Sequence, residues 1–209
     1  MKSICLKNVE IFPTLIHELH EFFEDEYVDN LRKICENIEC APKSNFGLQQ
    51  SIDSYLHKNE DFKTLVFYIK SVLNTIKIAE EYDTDEFVIT QMWLNKSYKG
   101  AFHEQHWHSN SFFSGIFYLT EGSPTVFYDP VVGRQMSSMN VWASTTQPAI
   151  ALPPKPGLLR VFPSYLQHKT LPSDIDGTRM TLSFNCVPSG KINTRNPYTR
   201  LSELEIEIK

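Results

Sequence analysis

Apolar residues recur at helical intervals over the first eighty positions and fall into short strand-like runs over the next hundred. In "EFFEDEYVDNLRKICENIE" (21–39) Phe22, Val28, Leu31, Ile34 and Ile38 keep near-helical spacing, as do Leu65, Ile69, Val72, Ile76 and Ala79 in "DFKTLVFYIKSVLNTIKIAEEYD" (61–83). Residues three or four apart share one helix face, so both stretches predict amphipathic helices, preceded by a short strand from about Val9. The segment between them, "APKSNFGLQQSIDS" (41–54), is polar and turn-rich and reads as a loop, either a linker or a wall of a cleft. From Phe87 the pattern changes. "FVITQMWLN", "NSFFSGIFYL", "PTVFYDP", "GLLRVFP" and "RMTLSFNCV" are rich in β-branched and aromatic residues and separated by Gly, Pro, Asn and Ser, which predicts strands. The expected fold class is therefore α+β, a jelly roll or barrel with helices packed on one side.

One domain over 1–209 is the expected organisation. Residues 1–85 form a mostly helical region packed on the barrel, 86–188 the barrel core, and 189–209 a C-terminal tail. A long connection from 131 to 157 interrupts the strands and holds four of the twelve prolines. Long connections inside a compact domain are often binding loops or lids, so substrate specificity is expected between Asp129 and Pro156 and in the helical region. No internal repeat, low-complexity tract or glycine-rich phosphate loop is present.

Composition narrows the function classes. The chain has 209 residues, 41% hydrophobic and 22% charged, the profile of an ordinary soluble globular protein. A net charge of −5 and a pI near 5.8 argue against general nucleic-acid binding. Its apolar runs fall short of the roughly 20 residues that span a bilayer, and the N-terminus is broken by charges and a proline, which predicts a cytoplasmic protein. Cys5, Cys35, Cys40 and Cys186 contain no C-x-x-C pair and read as reduced, mostly buried thiols rather than a zinc site.

The chemistry is concentrated in "FHEQHWHSNSFFSGIFYL" (102–119). On an extended backbone residues two apart share a face, so His106 and His108 point the same way, with Glu104, and His103 points the other way. Two imidazoles on one face suit a metal but cannot close a site, and taken alone such a pair is also found as a polar strand face without metal. A further ligand is sought in "PGLLRVFPSYLQHKTLPSDIDGTRMTLSFN", where a strand leads to His168 and Arg179 opens the next strand eleven residues later. Trp93 and Asn95, on the strand before the histidines, share a face and are candidate substrate contacts. His103 reads as solvated or as a neighbour of the ligands, and His17, His20 and His57 as surface residues.

Tyr98 to Asn185 resembles the catalytic core of the 2-oxoglutarate- and iron(II)-dependent oxygenases. The resemblance rests on Tyr98-Lys99-Gly100, on His106 six residues after Gly100, on "PGLLRVFPSYLQH" ending in His168, and on Gly177-Thr178-Arg179. The "H-x-H-x-N-S…S-G-x-x-Y-L" variant is similar to a branch found in phages and marine bacteria, whose N-terminus carries a similar "IFPT" segment. The resemblance implies a double-stranded β-helix and a dioxygenase that uses Fe(II), 2-oxoglutarate and O2, oxidises a substrate it does not identify, and releases succinate and CO2. It implies that His106 and His168 bind iron, that Arg179 pairs with the distal carboxylate of 2-oxoglutarate, and that Tyr118 or Tyr98 hydrogen-bonds the cosubstrate. Thr181 and Ser183 alternate with Arg179 and are secondary contacts. Where most of that superfamily has an acid, this chain has His108, which is taken as the third ligand; Glu104 and Asp129 are the acidic alternatives. Two other readings stay open: a three-histidine cupin-type dioxygenase that uses no 2-oxoglutarate, and a non-catalytic metal-binding barrel. The expected partner is a small-molecule or protein side-chain substrate, with no membrane and no general nucleic-acid binding.

Overall fold

The structure, a computed structural model, describes residues 13–43, 46–131 and 148–206. In chain order the elements are β1 (His17–Leu19), α1 (Asp25–Glu36), β2 (Cys40–Pro42), β3 (Leu48–Ser51), α2 (Lys63–Ala79), β4 (Thr84–Ser97), β5 (Phe113–Tyr118), β6 (Thr125–Tyr128), β7 (Ala149–Leu152), β8 (Leu159–Pro163), β9 (His168–Thr170), β10 (Arg179–Ile192) and β11 (Leu201–Leu204). The larger sheet runs β1-β8-β5-β10-β4-β3-β2, with β11 also on β10, and the smaller one runs β7-β6-β9. All of these ladders are antiparallel. Ile116 and Tyr118 of the large sheet pack with Phe127 of the small one and with Phe162 and Leu166, so the two sheets close on each other as a double-stranded β-helix.

Period-two alternation on β10 explains the layering. Met180, Leu182, Phe184 and Cys186 face outward into a core shared with Leu31, Leu65, Ile69 and Leu73 of the helices. Arg179, Thr181, Ser183 and Asn185 face inward, and the first three line a cavity between the sheets. Partner strand β4 would mismatch this pattern without an irregularity. Asn185 pairs with Gln91 while Cys186 pairs with Ile89, so one extra residue near Thr90 shifts the register. Phe87 and Ile89 before the shift, and Met92 and Leu94 after it, all reach the helix-side core, which leaves Trp93, Asn95 and Ser97 on the cavity side. A bulge reverses which side chains face inward, because each one-residue slip exchanges the two faces.

Both helices form where the spacing predicts them. Helix α1 starts with Asp25 and Glu26 and carries Lys33 in its last turn, charges that match its dipole. Its C-terminal end is fixed by the buried Lys96, whose Nζ donates to the carbonyls of Glu36 (3.0 Å) and Ile38 (3.1 Å). The expected loop 41–54 differs: it contains β3, which pairs with β4, and the end of the β2–β3 hairpin. Three- and four-residue strands are too short to show a period, and the polar pair Gln49-Gln50 leaves β3 with Leu48 as its one apolar residue. His57, expected at the surface, is half-buried with both ring nitrogens shielded. Val9 and residues 132–147 of the expected specificity loop lie outside the described residues. Among the described residues, no helix is long and apolar enough to cross a membrane.

Candidate metal centre and its cavity

His168 opens β9, where it pairs with Phe127 of β6. The segment carrying His106 and His108 is extended but joins the sheets through a single bridge, His106 to His168, rather than the strand ladder the parity argument assumed. Its backbone bonds are made all the same. His106 N–H and His168 N–H donate to each other's carbonyls at 3.0 and 2.9 Å, and His108 N–H donates to Ser164 O at 3.0 Å. Those bonds preserve the alternation: Trp107 between the two histidines is exposed, while both imidazoles turn inward.

His106, His108 and His168 each offer a ring nitrogen, and these atoms all lie within 4.8 Å of one another. Among the described residues, this is the group of His, Cys, Asp and Glu that could hold a metal ion. Their Nδ1 atoms are already engaged. His106 Nδ1 meets Glu104 O at 2.7 Å, His168 Nδ1 meets Leu166 O at 2.9 Å, and His108 Nδ1 meets Asn185 Oδ1 at 2.5 Å. Oxygen acceptors at all three positions require Nδ1–H, which leaves each Nε2 with its lone pair toward the centre. Burial pushes the pKa of all three below the usual histidine value, His168 furthest, so the rings are held neutral, as metal ligation requires.

The acidic alternatives are not in this group. Glu104 is exposed and contributes its backbone carbonyl, and Asp129 Oδ1 accepts from Val131 N–H at 2.9 Å. His103 stacks on His106 at 3.9 Å between ring centroids and lines the cavity, and burial pushes its pKa down to about 3.

The cavity has about 470 Å³ of empty volume counting its open mouth. Opposite the histidines it meets Arg179, which is almost fully buried. Its Nε donates to Ser123 O at 3.2 Å, and its guanidinium lies 5.8 Å from the Tyr118 ring centroid. No carboxylate lies within salt-bridge distance of it among the described residues, and burial lowers its pKa. Arg160, the other buried arginine, contrasts with it. It is paired with Glu18 and donates to Tyr118 Oη, Leu152 O and Pro153 O. Arg179 is therefore the buried cation that has an open cavity in place of a counter-charge.

Trp93, Asn95, Thr181 and Ser183 also line this cavity. Trp93 lies 5.6 Å from His108 between ring centroids, and Asn95 Nδ2 donates to Ser183 Oγ at 3.0 Å. Trp93 Nε1 and Asn95 Oδ1 are buried without a partner, an arrangement costly unless a ligand completes it. The two tyrosines are placed differently from expectation. Tyr118 is fully buried behind the cavity, its hydroxyl 2.8 Å from Thr125 Oγ1, and Tyr98 is exposed with its hydroxyl toward Gln49. Tyr98 comes just after the last cavity-facing residue of β4, Ser97, so its side chain leaves the sheet on the solvent side. Sequence reasoning missed Asn185, Thr125 and Ser97. Asn185 was within reach of it, since it continues the alternation of Arg179, Thr181 and Ser183.

Residues 91–185 match the family model described as "Putative 2OG-Fe(II) oxygenase". No curated protein matches the chain in sequence. Among solved structures the fold is similar to a prolyl-4-hydroxylase from Pseudomonas putida, with TM-score 0.61 and 16% identity, covering 84% of this chain and 93% of that one. It is similar to HygX from Streptomyces hygroscopicus, solved with nickel and 2-oxoglutarate bound, with TM-score 0.58 and 10% identity, covering 84% and 83%. A viral collagen prolyl hydroxylase from Paramecium Bursaria Chlorella virus-1, solved as a 2OG complex, is also similar, with TM-score 0.54 and 12% identity, covering 82% and 94%. Identities this low speak for the fold alone. The family match spans the histidine cluster and Arg179, so this part of the chain is similar to the 2OG-Fe(II) oxygenases.

Proposed function

We propose that the cavity is the active site of an Fe(II)- and 2-oxoglutarate-dependent oxygenase that oxidises an organic substrate, with His106, His108 and His168 as the iron ligands and Arg179 as the cosubstrate anchor. The observation that carries this reading is the pairing of three converging, neutral imidazoles with a buried, uncompensated guanidinium in one cavity. A metal accounts for the first, and a dicarboxylate that reaches both accounts for the second, since a guanidinium fork matches a carboxylate bidentately. Bound iron and 2-oxoglutarate together supply the activation of dioxygen, with succinate and CO2 as the coproducts.

The chain's own residues position and exclude. Arg179 fixes one end of the cosubstrate, and Thr181, Ser183 and Thr125 offer hydroxyls along the wall. Tyr118 acts from behind, its ring near Arg179 and its hydroxyl on Thr125. Trp93 Nε1 and Asn95 Oδ1 are the groups left for a substrate or for the cosubstrate's metal-side end. A metal-binding barrel without 2-oxoglutarate leaves Arg179 without a function for its buried charge. Free thiols at Cys35, Cys40 and Cys186 support a cytoplasmic location. The test is anaerobic addition of Fe(II) and then 2-oxoglutarate to the metal-free protein. The visible charge-transfer band of a chelated cosubstrate is expected, and iron binding without it would overturn the cosubstrate assignment.

A further inference from the structure

We infer that Asn185 is a positioning residue that makes His108 a metal ligand by fixing its tautomer; this rests on the oxygenase reading for the identity of the metal. The contact is His108 Nδ1 to Asn185 Oδ1 at 2.5 Å, and the amide is itself held on both sides. Its Oδ1 also accepts from Ser114 Oγ at 2.9 Å, and its Nδ2 donates to Gln91 Oε1 at 3.2 Å.

Those two bonds hold the amide in place with its Oδ1 toward the His108 ring. Turned over, Asn185 would present Nδ2 to the His108 ring, which would then have to carry its proton on Nε2, the atom facing His106 and His168. An Nε2–H cannot donate a lone pair to a metal. Ser114 and Gln91 hold the amide against the ring, the amide oxygen selects the tautomer, and the tautomer permits ligation. The other two histidines need no such side chain, because backbone carbonyls of Glu104 and Leu166 serve the same purpose. His108 alone depends on a side chain, and it occupies the position where the resembling superfamily carries an acid. An acid there would need no proton acceptor, so histidine as third ligand and asparagine at 185 form one functional unit. Asn185 is buried, and its place on β10 aligns it with the cavity-facing series that begins at Arg179.

The test compares wild type with Asn185→Leu and Asn185→Asp by two readouts. Ring-nitrogen NMR of the metal-free, histidine-labelled protein is expected to show His108 protonated on Nδ1 in wild type and in Asn185→Asp, and a tautomer mixture in Asn185→Leu. Anaerobic Fe(II) titration is expected to show affinity falling about 10- to 100-fold in Asn185→Leu and largely restored in Asn185→Asp, which keeps an acceptor. Thermal melting of the metal-free variants checks that each is folded, and if Asn185→Leu is not, the wild-type ring-nitrogen spectrum carries the test. Wild-type His108 protonated on Nε2, or unchanged Fe(II) affinity in a folded Asn185→Leu, would overturn the inference. A wild-type protein that binds no Fe(II) yet shows the Nδ1–H tautomer would sink the oxygenase reading instead, and the metal-free spectra tell the two failures apart.

Discussion

Replacing Arg179 with methionine should separate stability from function in opposite directions. In the metal-free protein the guanidinium is buried with one backbone hydrogen bond and one ring contact. Its removal forfeits the bond to Ser123 O, about 1 kcal/mol and up to about 3 if that carbonyl is left unpaired. The Tyr118 contact adds roughly 0.5–2 kcal/mol to the loss. Against this stands the desolvation cost of a buried charge, several kcal/mol even after relaxation. Methionine fills much of the vacated volume without a charge, so the metal-free variant should be as stable as wild type or more so, by up to about 2 kcal/mol.

Cosubstrate binding should move the other way. Truncating one member of a buried, hydrogen-bonded charge pair costs about 2–5 kcal/mol, a loss of roughly 30- to 5,000-fold in 2-oxoglutarate affinity. At about 100 times the dissociation constant, a ligand stabilises the native state by about 2.7 kcal/mol, so added 2-oxoglutarate should raise the melting temperature of wild type and leave the variant unmoved. Urea unfolding of the metal-free proteins and calorimetric 2-oxoglutarate titration of the nickel-loaded proteins measure the two quantities. Arg179→Met binding 2-oxoglutarate within threefold of wild type would refute the anchor, and a metal-free variant destabilised by more than about 3 kcal/mol would show that the charge is compensated inside the fold.

Three further outcomes test how the site is built. Gly115 sits where an added Cβ would overlap the Phe184 ring and press on Arg160 O, so Gly115→Ala should cost about 1–3 kcal/mol in urea unfolding; a neutral result would mean that the β5–β10 contact is looser than described. Lys96→Met leaves the Glu36 and Ile38 carbonyls without their donor and should destabilise by about 1–3 kcal/mol, with exchange protection lost first in the last turn of α1. Burial acts to raise the Glu18 carboxyl, but hydrogen bonds and charge from Arg160 and His20 outweigh it and hold its pKa below the usual 4.5. A depressed carboxylate adds stability that is present above the unfolded pKa and lost as pH falls through the folded one. Stability should therefore drop below about pH 4.5, more steeply in wild type than in Glu18→Gln, and identical slopes would remove Glu18 from the account.

Sequence periodicity was informative wherever an element was long or faced one core. The 3.6-residue spacing of Leu65, Ile69 and Ile76 and the alternation of Met180, Leu182 and Phe184 each report a single buried face, so α2 and β10 could be read from the chain directly. Short elements gave no such signal. Strand β3 has four residues, and its pairing with Thr84–Ser97 is a long-range fact that no local window contains. The tyrosines were ambiguous for a related reason: an aromatic with a polar tip suits a core or a ligand pocket equally, and only the position of Thr125 and Arg160 puts the Tyr118 hydroxyl behind the cavity.

By itself the sequence determined the fold class and the helical and strand halves, because side-chain period is a property of the chain, and it singled out His106, His108, His168 and Arg179, which the fold brings to one cavity. Only the tertiary structure decided which nitrogen of each imidazole faces the centre, since that depends on acceptors at Glu104, Leu166 and Asn185. It alone distinguished the two arginines, Arg160 being compensated by Glu18 and Arg179 facing an open cavity. The bulge near Thr90, which turns Trp93 and Asn95 inward, was likewise invisible in advance. Register is set by pairing between strands ninety residues apart in sequence, and a one-residue shift there exchanges the wall of the site for the floor of the core.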